Sequence, residues 1–178
     1  MLKYIIIAAV IVILLIVLSF ISSKKKIERI MLSVNEAITN IDVLLKKKLE
    51  LLKTLEGLVK AKIDINDLNI DLEKLEKEEL DAFQLNDRLK DIHNDLFKAI
   101  DMNKKVNKNK KIIDCLNELN DNEEDLFGVL KFYNDSVVEY NRIISSFGSR
   151  LPALLLRFRK LEFFSNEKRE IFEILKNK

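Results

Sequence analysis

The chain has 178 residues, with 31 basic and 29 acidic side chains, one His, one Cys, one Pro and three Gly. So even a charge balance lacks the basic face of a nucleic-acid protein. A lone Cys excludes an intrachain disulfide framework and a cysteine-rich metal site. So few breakers beside many Leu, Ile, Lys and Glu point to long helices.

The first element is Tyr4 to Ser23, YIIIAAVIVILLIVLSFISS, which holds no charge, Gly or Pro. Twenty helical residues span about 30 Å, the thickness of a bilayer's hydrocarbon core. A helix also pairs its own backbone groups, which lipid cannot do. The expectation is an uncleaved membrane anchor, with residues 1–23 as head and span and residues 24–178 as one helical domain. Two other readings compete. A cleaved signal peptide would have a shorter apolar core and a small-x-small cut site. A buried core helix is the other reading, and it is the less favoured one because the run is apolar on all faces. Lys24, Lys25, Lys26 and Arg29 follow the span, against Lys3 before it. The positive-inside rule then places the head outside and residues 24–178 in the cytoplasm. The three lysines would also suit the lipid–water boundary and anionic headgroups.

From Lys24 to about Lys62 the pattern predicts one helix. Its apolar stripe is Ile27, Met31, Val34, Ile38, Ile41, Leu45, Leu52, Leu55 and Val59, skipping only Lys48. A second row, Ile30, Ala37, Leu44, Leu51 and Leu58, widens it. The period is near 3.5, as in helices packed with a left-handed supercoil.

Asp64 to Asn69, DINDLN, reads as a turn because Asx side chains compete for the backbone. A second helix is expected from about Asp67 to Asp101, with a stripe from Leu68 through Leu72, Leu75, Leu85, Leu89 and Leu96 to Ala99. The acidic cluster from Glu73 to Asp81 around Lys74 and Lys77 is expected to be a solvated face. Asn103 to Lys111 reads as the next turn.

A third helix is expected from about Lys111 to Ser146. Its stripe is Ile112, Leu116, Leu119, Leu126, Leu130, Tyr133, Val137, Tyr140, Ile144 and Phe147, broken only by Glu123. Glu123, Glu124 and Asp125 leave room for a kink or a second start. Phe147 to Pro152 should end the helix, with Gly148 past its C-terminus. The apolar tail LPALLLRFRKLEFF should pack across the bundle end. Ser165 reads as the N-cap of a short last helix reaching about Lys176.

No catalytic constellation stands out, and the chain is not expected to be an enzyme, to hold a metal or to bind a cofactor. The one His, His93, lies one position off its stripe and reads as a half-exposed structural residue. A di-iron bundle needs two Glu-x-x-His motifs, and the residue three before His93 is Lys90. No Ser has a His–acid set around it, and three scattered Gly cannot build a phosphate loop.

The most distinctive local feature is the pair Tyr133-Asn134 and Tyr140-Asn141. Seven residues apart, the two units stack on one helix face. The rings suit burial with the hydroxyls seeking partners. The Asn side chains suit the stripe's edge, where an amide can bond across to a neighbouring helix and fix register. A ligand or partner groove is the other reading.

With Tyr133 to Phe147, YNDSVVEYNRIISSF, the chain resembles the LemA family of bacterial membrane proteins. The match continues into Phe163-Phe164. Ile41 to Leu52, IDVLLKKKLELL, is similar to the family's Ile-Asp-x-x-Leu-Lys-Arg-Arg stretch. Gly148 stands where the family usually has Pro, and Leu52-Lys53-Thr54 where it has Ile-Pro-Asn. The family-motif candidates are therefore Tyr133, Asn134, Tyr140, Asn141, Phe147, Ile41 and Asp42. The resemblance implies an antiparallel bundle of long helices on the membrane, and it implies no agreed activity.

The expected fold is all-α: a transmembrane helix running into an up-and-down bundle of three long helices plus a short C-terminal one. The expected function is a scaffold or adaptor for protein partners at the membrane. Its partners would be the lipid bilayer and proteins not named by the sequence, other copies of itself among the candidates, with no nucleic acid. The alternatives are an envelope accessory or sensor that binds a peptide or small ligand beside a membrane protease, and a structural coiled-coil oligomer.

Overall fold

The computed structural model describes residues 2–63, 70–103, 106 and 108–164, without the side chains of Leu2, Ile5, Ala8, Ala9 and Phe147. Among these residues the regular elements are five α-helices: α1 (Leu2–Lys60), α2 (Leu72–Lys77), α3 (Ala82–Asp101), α4 (Lys110–Ser145) and α5 (Phe147–Leu155). The packing falls into two compact units. One comprises residues Met1–Ala37 and Lys131–Lys178, the other Ile38–Leu130.

In the unit Ile38–Leu130, α1 buries Ile41, Leu45, Leu49, Leu52, Leu55 and Val59. The skipped stripe position Lys48 is buried with them, at 1 % exposure. α4 contributes Ile112, Cys115, Leu119 and Leu126, and α3 contributes Leu89, Leu96 and Ile100. Each fully buried Leu or Ile adds about 1.5–3 kcal/mol through apolar surface removed from water. α1 and α4 run antiparallel here. Asn122 Nδ2 donates to the Leu44 carbonyl at 3.3 Å and Cys115 Sγ to the Leu51 carbonyl at 3.6 Å, so one sequence climbs as the other falls.

The single helix expected from Asp67 to Asp101 is corrected to two. α2 ends at Glu78, whose backbone is extended, and α3 restarts after Asp81. Asp81 makes a capping box: its carboxylate accepts the Gln84 N–H at 2.8 Å, and the Gln84 side chain accepts the Asp81 N–H at 3.3 Å. A D-x-x-Q pattern thus outweighs helix continuity, because it satisfies two otherwise orphaned donors. Asp81 is a start signal rather than part of a solvated helix face. The turn expected at Asp64 to Asn69 lies outside the described residues. The turn expected at Asn103 to Lys111 lies partly outside the described residues; within it Val106 is fully buried. Asn109 opens α4 by accepting the Lys111 N–H on its side chain at 3.0 Å. α4 then runs 36 residues without a break through Glu123 to Asp125.

In the other unit, Ile27 packs with Tyr140, Ile143, Ile144 and Ala153, and Ile30, Met31, Phe158 and Leu161 lean on that cluster. α4 stops at Ser145, next to the expected end at about Ser146, but the stretch expected to break the helix is corrected: α5 starts at Phe147 with Pro152 inside it. Proline cannot donate to the carbonyl four residues back. The Ser23 hydroxyl donates to that carbonyl, Gly148 O, at 3.2 Å. Gly148 does not adopt a left-handed backbone; Arg157 does, at φ 57°. Arg157 N–H donates to Leu154 O and Phe158 N–H to Ala153 O. That is a Schellman end to α5, and Phe158 packs against the cluster that includes Ala153. The last helix expected from Ser165 to Lys176 lies outside the described residues.

The N-terminal part of α1 presents its apolar side chains outward. Tyr4, Ile6, Ile7, Val10–Leu18 and Ile21 are 45–78 % exposed. Among the described residues no helix is long and apolar enough to cross a membrane. Lys24, Lys25 and Lys26 follow this run at once.

Candidate functional site

The seven expected site residues are divided between the two compact units. Ile41 is a fully buried core residue of α1, and Asp42 beside it is exposed. The Phe147 side chain lies outside the described residues. The two Tyr-Asn units of α4 do act together, and their partner is the C-terminal tail.

After Arg157 the chain turns back and runs along α4 without helical structure. Asn141 grips it in both senses: Oδ1 accepts the Leu161 N–H and Nδ2 donates to the Leu161 carbonyl, each at 2.9 Å. Two turns earlier on the helix, Asn134 Oδ1 accepts the Phe164 N–H at 2.8 Å. Tyr133 donates its hydroxyl to the Glu162 carbonyl at 3.0 Å. Its ring meets Phe164 edge-on, with centroids 5.9 Å apart. Tyr140 is 1 % exposed and fills the core beside Ile27. Burial pushes both phenols above their usual pKa, so both stay protonated at neutral pH.

The expectation that the Asn amides bond across to a neighbouring helix is therefore revised. They bond to an extended segment. Helix backbones have no free groups in mid-course, whereas an extended segment presents an N–H and a C=O together. An amide, with one donor end and one acceptor end, matches that pair. The site is a clamp for an extended backbone, here occupied by the chain's own tail.

A second constellation lies within Ile38–Leu130. Lys48 from α1, His93 from α3 and Glu123 from α4 meet there. Lys48 Nζ is 2.5 Å and His93 Nδ1 is 3.2 Å from Glu123 Oε1. Partial burial works to raise the Glu123 pKa. Hydrogen bonds and charge from His93 and Lys48 outweigh it and bring the carboxyl down to about 2. Because the carboxylate only accepts, His93 carries its proton on Nδ1 in this contact. The His93 ring also meets Phe97 edge-on at 6.5 Å. Beside this group, Asn122 is fully buried, and its Oδ1 has no hydrogen-bond partner among the described residues.

In the sequence, taken singly, Lys48 is a skipped stripe position, Glu123 a break and His93 an off-stripe His. A cation and an anion, each interrupting an otherwise apolar stripe, were a pairing signal. Among the described residues no group of three or more His, Cys, Asp and Glu could hold a metal ion.

The arrangement defines an all-helical protein whose long first and fourth helices are tied by buried polar bridges and whose tail is clamped by asparagines. A family model described as the LemA family matches residues 37–174, and the chain belongs to that family. The match covers both Tyr-Asn units, the tail and the Lys48–His93–Glu123 group, and it begins after the apolar N-terminal run. No curated protein and no solved structure gives a significant match.

Proposed function

We propose that this LemA-family protein is a membrane-anchored, non-catalytic adaptor: residues 4–23 hold it in the bilayer and its helices bind protein partners at the membrane. The observation that carries the reading is the outward display of apolar side chains around the N-terminal part of α1. The full run in the sequence is twenty residues without a charge. In water such a surface would be a liability; in hydrocarbon it is the required one. Lys24, Lys25, Lys26 and Arg29 support placing the residues after the span on the cytoplasmic side.

Exposed aromatic side chains support the adaptor role. Phe97 is 52 % and Phe127 71 % exposed. Large rings of this kind anchor protein interfaces. The test is affinity capture of the full chain from detergent-solubilised membranes, run in parallel with Phe127→Glu. The expected result is a defined protein that co-purifies with the native chain and is lost with the variant. Recovery of the same proteins by both chains and by an unrelated single-pass control would contradict the adaptor role. Orientation is tested by Glu36→Cys in a Cys115→Ser background. A membrane-impermeant thiol reagent should label it only after the cells are opened.

A further inference from the structure

We infer that α5 is a second membrane-contacting element, a short helix that lies in the bilayer interface and buries Leu151, Leu154 and Leu155 among the acyl chains. This rests on the reading of residues 4–23 as the anchor. Four observations within one compact unit carry it.

The first is position. Gly148, Leu151, Pro152 and Leu155 line a groove of about 480 Å³ whose other wall is α1 from Val12 to Phe20. Those four α5 residues are spaced i, i+3, i+4 and i+7, so they form one helix face. The facing stretch of α1 lies inside the proposed span. The groove therefore opens alongside the proposed span, which it follows from Val12 to Phe20, and the Ser23–Gly148 bond lies beyond the Phe20 end.

The second is exposure. Leu151, Leu154 and Leu155 are 69–74 % exposed, while Ser149 and Ala153 on the opposite side are buried. The apolar side is thus the one turned away from the protein core. It continues the outward apolar surface of α1 rather than standing as an isolated patch.

The third is charge. From Phe147 to Leu161 the sequence carries Arg150, Arg157, Arg159 and Lys160 and no acidic residue. All four cations are exposed. The chain as a whole is nearly balanced, so this is a local excess beside the leucines. Leucines with flanking Arg and Lys are the composition of helices that lie in a membrane interface and meet anionic headgroups. Lys24, Lys25 and Lys26 stand at the same end of the span.

The fourth is the return path. The left-handed backbone at Arg157 reverses the chain immediately after α5, and Phe158 is back in the core cluster beside Ala153. The clamp on Leu161 and Phe164 then holds the tail along α4. α5 is thereby fixed as a loop tip, with both ends tied to the protein and its leucines presented outward.

The test uses the full chain, Cys115→Ser, in vesicles of phosphatidylcholine and phosphatidylglycerol. An environment-sensitive fluorophore is attached, one position at a time, through Ile13→Cys, Leu154→Cys, Leu155→Cys or Glu36→Cys. The expected result at 154 and 155 is blue-shifted emission that is lost when the lipids carry a nitroxide quencher near the headgroup end of the acyl chain. A quencher deep in the chain should act more on position 13, and neither should act on position 36. Unquenched emission at 154 and 155 beside a quenched position 13 overturns the insertion of α5 and leaves the anchor standing. Blue-shifted but unquenched emission there means that protein covers the leucines, which also overturns it. An unquenched position 13 overturns the anchor reading and this inference with it.

Discussion

Lys48 and Glu123, the two charged residues that interrupt the apolar stripes of α1 and α4, are partners, with Nζ 2.5 Å from Oε1. The Lys48 side chain is 2 % exposed and that of Glu123 33 %. Removing the carboxylate strands an ammonium in the core, whereas removing the lysine leaves a carboxylate with His93 and some water. Glu123→Leu should therefore cost more than Lys48→Met, about 3–5 kcal/mol against about 1–3. The double variant should cost less than the sum, since an apolar pair of similar volume removes both desolvation penalties. Thermal unfolding of the full chain in detergent, followed by circular dichroism, measures all three. Additive effects would show that the two residues do not act as a pair.

The same pair sets a pH dependence. The Glu123 pKa is about 2 in the fold, against an ordinary value of 4.5. The charged form is favoured by folding, so its contribution is complete above the ordinary value. It is lost as pH falls from about 4.5 towards about 2. The unscreened limit is about 3 kcal/mol, and a side chain one-third exposed should yield about 1–2. Comparing Glu123→Gln with the native chain isolates this term. The stability gap between them should close on acidification across that window. A gap unchanged from pH 6 to pH 2.5 would contradict the assignment.

Clamping of the tail depends on an amide at position 141. Asn141→Asp keeps the acceptor for Leu161 N–H but sets a carboxylate oxygen against the Leu161 carbonyl. The expected cost is about 1–3 kcal/mol. Hydrogen exchange at the Leu161 and Phe164 amides should accelerate, while amides of α3 stay protected. Unchanged protection at Leu161 would mean the tail is held by other contacts.

How far the sequence reveals this fold depends on the kind of signal. Positions such as Ile41, Leu52, Leu119 and Val137 were legible as core because an apolar stripe at helical period reports burial directly. Ile38 was not: it stands 38 % exposed while its neighbour Ala37 is fully buried, since two adjacent rows compete for one face. Leu130, counted as stripe, is only half-buried. The restart at Asp81 was legible in principle as a capping box but was masked by surrounding acids. The clamp was half legible. Tyr133, Asn134 and Asn141 were picked out, but their partner is backbone, and backbone carries no sequence signature. The left-handed residue at the end of α5 is Arg157 rather than a glycine, and two backbone bonds to the Leu154 and Ala153 carbonyls hold it there, which no residue-type signal announces.

That last position gives its own prediction. An L-residue in the left-handed region is strained by about 1 kcal/mol relative to glycine. Arg157→Gly should stabilise the chain by up to ~1 kcal/mol, and Arg157→Val should destabilise it, since branching at Cβ worsens the clash. The midpoint of thermal unfolding reads both. Equal midpoints for the Gly and Val variants would show that the turn does not depend on the backbone at 157.

The central claim is that residues 4–23 hold this helical protein in a membrane. Extraction of cell membranes with alkaline carbonate, followed by flotation, tests it most directly, because carbonate strips peripheral proteins and leaves spanning helices in place. The full chain should stay with the floated membranes, and a chain lacking residues 4–23 should not. Release of the full chain into the carbonate supernatant would contradict the anchor.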